Sequence, residues 1–249
     1  YYELQGALWA FVLCGGAVYA RELGRMAAVT QAFDATGYPR NLLPGAGGKL
    51  RKAFVLDRVA EQIARPLDDL VRDCDRLCIA PFGPLHHVPF SALFNDRPVF
   101  TAPSVTVLLR HSQADRGGLN DIAFGYNGRT LSHAEAEAQA IGEIAYVGPQ
   151  ATRAALYDQA PRAKRLHFST HGYFDPDDPA RSYVELADGP LYASEIASGL
   201  QLHADLVVLS ACDSGRNKVL DGDEPLGLIR SFITAGAASV LVTLWPVDE

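Results

Sequence analysis

From Arg76 onward, short apolar runs alternate with segments in which apolar residues recur at helical spacing. This alternation is typical of a parallel β-sheet whose crossover connections are helices packed on both faces. The predicted strands are Leu77–Ala80, Ile122–Gly125, Ala145–Val147, Leu166–Thr170, Leu206–Leu209 and Val240–Leu244. The predicted helices between them are Ala134–Ile144, Thr152–Gln159, Ser194–Gly199 and Leu226–Ala235. The pattern therefore predicts an α/β fold with a mostly parallel sheet.

Length and charge narrow the classes of protein that fit. The chain has 249 residues, enough for one α/β domain, alone or with a small appendage. Its net charge of −7 comes without a Lys/Arg cluster, which argues against direct nucleic-acid binding. No apolar run approaches the roughly 20 residues of a membrane helix, so no membrane contact is expected. Four cysteines do not make the dense framework of small secreted domains, which favours a reducing, cytoplasmic setting.

The first 75 residues have a different pattern. The apolar runs Ala7–Leu13 and Ala17–Leu23 flank Gly15-Gly16, a pair that tolerates the positive φ of a tight turn, and they predict a β-hairpin. Two helices are predicted after it, about Arg25–Ala35 and Leu50–Ile63. We therefore predict an N-terminal part over residues 1–75 and a catalytic part over residues 76–249.

Two chemically reactive side chains follow predicted strands. His171 comes directly after Leu166–Thr170, and Cys212 comes shortly after Leu206–Leu209. Parallel strands present their carboxyl ends at one edge of a sheet, where ligand sites form, and adjacent strands lie about 4.8 Å apart. If these two strands are neighbours, the imidazole and the thiol can reach each other.

A histidine beside a cysteine is an arrangement for nucleophilic catalysis. The imidazole can take the thiol proton, and the thiolate then attacks a carbonyl carbon. The backbone N–H groups of Gly172 and Cys212 are candidate donors to the resulting oxyanion. The alternative is that Cys212 has no chemical role and is a small buried residue at a strand end.

Several sequence blocks resemble one known family, the CHAT domain, a caspase-like module that often occurs with TPR repeats. The blocks carrying the histidine and the cysteine are Thr170-His171-Gly172 and Ser210-Ala211-Cys212-Asp213-Ser214-Gly215. Further matching blocks, in the family's order, are Gly83–Phe90, Ala102–Ser104, His133–Glu137, Gly227–Phe232 and Leu244–Asp248. The resemblance covers nearly the whole chain, except that the family's final helix after Asp248 is missing.

The resemblance implies a caspase–separase type of fold and a cysteine endopeptidase that cleaves protein substrates. It implies His171 as the general base, Cys212 as the nucleophile, and no metal or organic cofactor. It also implies control by a partner or an adjoining domain such as TPR repeats, with residues 1–75 as a pseudo-caspase half or an appendage. Two alternatives stay open: a catalytically silent regulatory domain on the same scaffold, and another acyl-transfer enzyme such as a thioesterase.

The end of the chain also resembles separase, in which an acidic residue at the corresponding segment holds a basic substrate side chain. This implies Asp248 as a substrate-binding residue, with Trp245 and Asp213 as further candidates. In the alternative interpretation Trp245 packs under the sheet edge and Asp248 is a solvated carboxylate. The acidic loop Asp175–Asp178 also has two interpretations: it attracts basic substrates, or it forms a solvated turn.

The remaining cysteines give little sign of chemistry. Cys74 and Cys78 lie near His86 and could ligate zinc only if further ligands completed the site, so no metal is predicted. Cys78 lies in an apolar run and is predicted to be a core residue, and Cys14 ends a strand of the hairpin. We expect both to be inert.

Overall fold

The structure is a computed structural model that describes residues 1–36, 48–112, 117–128, 130–175, 177–211, 218–219 and 225–243. The chain forms two compact units, Tyr1–Leu108 and Leu109–Glu249. The domain boundary predicted between residues 75 and 76 stays a prediction, because compactness alone does not define an independently folding domain. No helix in the described ranges is long and apolar enough to cross a membrane.

The first unit begins with the predicted hairpin. Strands β1 (Tyr2–Leu4), β2 (Ala7–Cys14) and β3 (Ala17–Arg25) form an antiparallel sheet in that order. Gly15 and Gly16 make the two-residue turn between β2 and β3 with φ of 59° and 80°. A turn with positive φ at both central residues matches the twist of paired strands, which explains why two glycines stand there.

Helices and one small parallel sheet complete this unit. The helices are α1 (Met26–Thr36), α2 (Gly48–Ile63), α3 (Asp68–Val71), α4 (Phe90–Leu93) and α5 (Val105–Ser112). Strand β4 (Leu77–Ile79) pairs in parallel with β5 (Val99–Thr101). The predicted strand at Leu77 is therefore present, but it belongs to a two-stranded sheet separate from the main one.

The second unit contains a five-stranded parallel sheet. Its strands are β6 (Asn120–Gly125), β7 (Ile144–Val147), β8 (Ala163–Ser169), β12 (Leu206–Ser210) and β15 (Val240–Leu241). Their spatial order is β15-β12-β8-β6-β7, and every neighbouring pair is parallel. The caspase-like α/β architecture expected from the sequence is confirmed.

Helices cover the two faces of this sheet in different ways. The helices are α6 (Ala134–Ile141), α7 (Arg153–Gln159), α8 (Ala193–Gly199) and α9 (Leu228–Ala235). Leu166 and Phe168 of β8 lie in one apolar core with residues of α7, α8 and α9, such as Phe232. The opposite face packs against α6 through smaller residues: a Cβ at Gly125 would lie 2.7 Å from the Ala138 methyl group.

A second, antiparallel sheet follows β8 and was not predicted. It consists of β9 (Gly172–Tyr173), β10 (Tyr183–Leu186) and β11 (Gly189–Tyr192), in the order β11-β10-β9. The backbone also forms a short antiparallel pair of β13 (Lys218–Val219) and β14 (Pro225–Leu226). Gly236 ends α9 in the left-handed conformation at φ 114°, as the sequence predicts.

Candidate active site

The strand order reverses at β6. The chain passes from β6 to β7 on one side and then crosses to β8 on the other side, from which the sheet grows to β12 and β15. In open α/β sheets, ligands bind at the carboxyl ends of two neighbouring strands whose connections leave in opposite directions. The crevice between the ends of β6 and β8 is therefore the place where a site is expected on topological grounds.

The strands that precede the two reactive residues are neighbours. β8 and β12 pair in parallel from Leu206↔Arg165 to Ser210↔Ser169, and the Thr170 N–H donates to the Ser210 carbonyl at 3.3 Å. The adjacency inferred from the sequence is confirmed. His171 follows Ser169 by two residues, and Cys212 follows Ser210 by two residues.

His171 is contacted by the loop that follows β6. Its Nε2 lies 2.6 Å from Oγ1 of Thr130. Gly128, at φ +51°, lies so close that an added Cβ would be 2.8 Å from Cδ2 of His171 and 3.0 Å from a carboxylate oxygen of Glu185. Neither Gly128 nor Thr130 was predicted as a site residue, although Asn127-Gly128 directly after a strand end is a turn signal that could have indicated a loop here.

Gly172 begins β9, opposite Val184 of β10. The Glu185 N–H donates to the His171 carbonyl at 2.9 Å, so Gly172 and Val184 form a non-hydrogen-bonded antiparallel pair. In such a pair the N–H of each residue is directed away from the partner strand. The Gly172 N–H is thus directed away from β10.

A polar cluster lies beneath the ends of β8 and β12, on the face covered by α6. One carboxylate oxygen of Glu137 accepts hydrogen bonds from Ser169 Oγ at 2.6 Å and Ser210 Oγ at 3.3 Å. Its other oxygen lies 3.0 Å from Nε2 of His167. Because an ionised carboxylate only accepts hydrogen bonds, Nε2 carries the hydrogen in this contact. A single helical side chain therefore joins the two strands that lead to His171 and Cys212.

This cluster is well buried on the sheet side. His167 is 6% exposed and Ser169 is 2% exposed. Burial lowers the pKa of His167 from its ordinary value, and the charge and hydrogen bond of Glu137 partly oppose that shift. His167 is consequently a neutral histidine at neutral pH. The cluster was not predicted, although His167 and Ser169 alternate with Leu166 and Phe168 and so had to face the other side of the sheet.

The cysteine side of the site is described up to Ala211. Ala211 is buried, and its carbonyl accepts a hydrogen bond from Oγ1 of Thr243, which follows β15, at 2.9 Å. The three neighbouring strands β8, β12 and β15 are thus tied to each other at their carboxyl ends. The predicted site residues Cys212, Asp213, Trp245 and Asp248 lie outside the described residues.

The acidic loop after β9 supports its own backbone. Oδ1 of Asp175 accepts from the N–H groups of Asp177 and Asp178, each at 3.0 Å, and Asp178 accepts from the Ala180 N–H at 3.3 Å. Carboxylates engaged in this way stabilise a turn. The geometry favours the turn interpretation over a substrate-attracting one.

Of the other cysteines, Cys14 ends a strand of the hairpin as predicted, whereas Cys78 lies in different surroundings. Cys78 is exposed on β4, so its assignment to the core was wrong: β4 lies in a two-stranded sheet that leaves this side uncovered. Cys74 lies beside Cys14, with 3.1 Å between the two Sγ atoms. Within the described ranges, no group of three or more His, Cys, Asp and Glu side chains could hold a metal ion.

Comparison with known proteins gives one family. The family model described as the CHAT domain matches residues 55–249. Among curated proteins, none matches this chain. The matched range includes all five strands of the parallel sheet and every residue of the candidate site.

Proposed function

Because the chain belongs to the CHAT-domain family, a caspase-like and peptidase-related family, we propose that it is a cysteine endopeptidase that cleaves protein substrates with His171 and Cys212. One observation carries this proposal. The strands β8 and β12 are paired neighbours, and the two residues stand at the same offset beyond their last paired residues, Ser169 and Ser210. Adjacent parallel strands lie about 4.8 Å apart, so residues at a shared offset beyond two such strands are expected to be close together.

Thr130 supports His171 as the general base. The Thr130 hydroxyl engages Nε2 at 2.6 Å, so the ring can donate its Nε2 hydrogen to Oγ1 and keep Nδ1 as the proton acceptor. This is the role of a third group that orients a base. Gly128 lets the loop approach the ring, since any larger residue would overlap it.

The chemistry then follows the sequence of an acyl transfer. His171 takes the thiol proton of Cys212, and the thiolate attacks the carbonyl carbon of the scissile peptide bond. The tetrahedral intermediate breaks its C–N bond, and the amine leaves with the proton from His171. Water, activated by the same imidazole, hydrolyses the thioester and frees Cys212.

Backbone donors stabilise the charge that develops on the carbonyl oxygen. The Gly172 N–H is directed away from β10, which leaves it suited to this task together with the Cys212 N–H. Glu137 contributes indirectly, because its carboxylate joins the ends of β8 and β12, the strands that precede His171 and Cys212.

Substrate choice and control are further parts of the proposal. By resemblance to separase, Asp248 holds a basic substrate side chain, and Trp245 and Asp213 are further substrate-binding residues. A partner or an adjoining domain such as TPR repeats restrains the peptidase, which acts in the cytoplasm on protein or peptide substrates.

A substrate panel tests the reaction type. Peptides with varied residues before the scissile bond, and a matched set of thioesters, are incubated with the protein and with Cys212→Ala and His171→Ala variants. We expect peptide cleavage that both substitutions abolish. Turnover of thioesters alone would instead identify a thioesterase, and no turnover with any substrate or candidate partner would favour a silent regulatory domain.

Thr130 provides a finer test of the mechanism. Thr130→Val keeps the side-chain shape but removes the hydrogen bond, and loss of one such bond lowers kcat/KM by about five- to tenfold. Thr130→Ser keeps a hydroxyl and should restore most of the activity. If the valine variant has the activity and pH profile of the unsubstituted protein, Thr130 does not orient the base.

A further inference from the structure

Two thiols that the proposed mechanism does not use meet in the first unit. The Sγ atoms of Cys14 and Cys74 are 3.1 Å apart, although the residues are 60 positions apart in the chain. Cys14 is the last residue of β2, and Cys74 follows α3. The contact therefore joins the end of the hairpin to the segment between α3 and β4.

The geometry is close to that of a disulfide. A disulfide bond is about 2.05 Å long, so the sulfur atoms need to approach by only about 1 Å. Cys14 ends β2 and is followed by the Gly15-Gly16 turn. Backbone on this side of the pair can absorb a shift of this size more readily than the middle of a strand can.

The surroundings hold the pair in place and leave it accessible. Both cysteines are half-buried, so a small molecule can reach them. The Arg97 guanidinium donates to the carbonyls of Val71 and Cys74, the latter at 2.8 Å, which fixes the backbone on the Cys74 side. The hydrogen bond with Cys14, and then burial, raise the pKa of the Cys74 thiol, so reaction of the pair should accelerate as the pH rises.

We propose that Cys14 and Cys74 are a modification site at which a small-molecule disulfide such as oxidised glutathione forms an intramolecular disulfide bond. One thiolate attacks the glutathione disulfide, forming a mixed disulfide and releasing one glutathione thiolate. The second protein thiolate attacks the protein sulfur of the mixed disulfide and releases the second glutathione. The protein loses two hydrogens, and oxidised glutathione is reduced to two thiols. This site is independent of the proposed peptidase activity.

Cys78 offers an internal control. It is exposed on β4 and has no described thiol within hydrogen-bond distance. It can accept one glutathione, and among the described residues it has no neighbouring thiol that could release it. The two outcomes differ in mass, so one experiment distinguishes them.

The test uses the whole chain treated with oxidised glutathione, after which free thiols are blocked and peptides are mapped by mass spectrometry. We expect a peptide pair joined through Cys14 and Cys74 that dithiothreitol separates, faster formation at higher pH, and a raised Tm after oxidation. In Cys14→Ser and Cys74→Ser variants, the remaining cysteine should instead retain glutathione, as Cys78 does. The proposal would be overturned if, in the unsubstituted protein, Cys14 and Cys74 stayed free or if each retained its own glutathione.

Discussion

Substitution of Glu137 by alanine should destabilise the second unit, because it leaves two buried hydrogen-bond donors without their acceptor. Ser169 and His167 are nearly inaccessible, and each unsatisfied buried donor costs about 1–3 kcal/mol. The Glu137 side chain is itself 35% exposed, so water can replace part of its role and the lower half of that range applies. The longer contact to Ser210, at 3.3 Å, adds little.

The expected loss of unfolding free energy is about 3 kcal/mol for the two donors together. For a chain of this length, 1 kcal/mol lowers the Tm by about 3 °C, so Glu137→Ala should lower it by about 9 °C. Glu137→Gln retains one acceptor oxygen and should give a smaller loss. The proposed peptidase activity should fall in both variants below their melting temperatures, because the contacts that join the ends of β8 and β12 are lost or weakened.

Thermal unfolding followed by circular dichroism measures this effect, with Glu135→Ala as the matched control. Glu135 lies on the same helix two positions earlier, where its carboxylate faces Gly148 and not the polar cluster. Both variants lose a glutamate side chain from the same helix, and only Glu137→Ala removes the acceptor of the polar cluster. If their Tm values agree within about 2 °C, the cluster does not contribute as reasoned.

Three further substitutions test individual contacts. Because burial keeps the pKa of His167 low, the unfolded chain binds a proton at this residue before the folded chain does as the pH falls below about 6.5. The contribution of His167 to stability therefore decreases below that pH and does not change above it. The urea midpoint should fall less on acidification in His167→Gln than in the unsubstituted protein. Gly128→Ala places a methyl group 2.8 Å from the imidazole of His171 and should lower the proposed peptidase activity about tenfold or more. Gly83→Ala, at a matching φ of +52° but in open space, should cost only about 1 kcal/mol of stability. Equal activities of the two variants would refute the steric argument. Gly236→Ala, just after α9, places a methyl group against the Leu202 carbonyl and should lower the urea unfolding free energy by about 2 kcal/mol more than Gly189→Ala, which has a similar φ and open space. Equal losses in the two variants would contradict this reasoning.

The sheet and the position of His171 could be predicted because both depend on local signals. Apolar runs bounded by glycine indicate buried parallel strands, and a residue after such a run falls at the carboxyl edge. The pairing of β8 with β12 followed from the proposal that His171 and Cys212 work together, and the structure confirms it. Gly236 was predicted as a helix end for the same kind of local reason.

The polar cluster and the thiol pair could not be predicted, because they depend on tertiary packing. Nothing local to Glu137 indicates that it contacts His167, which lies 30 residues further along the chain. The antiparallel strand β9 has only two residues, too few for any periodicity to show. Cys78 was placed in the core because an apolar run does not tell how many of its faces are covered.

No neighbouring pair of strands in the five-stranded sheet is joined by a hairpin. Residues 126–143 separate β6 from β7, and residues 170–205 separate β8 from β12. Connections of this length must close before the strands gain any stabilising contact, which makes such pairings slow. In contrast, β2 and β3 are joined by a two-residue turn, and a hairpin of this kind forms in about 1–10 μs. During refolding, hydrogen-exchange protection should therefore appear first in the hairpin, and the proposed peptidase site, assembled at the carboxyl ends of the slow strands, should be among the last parts of the molecule to form.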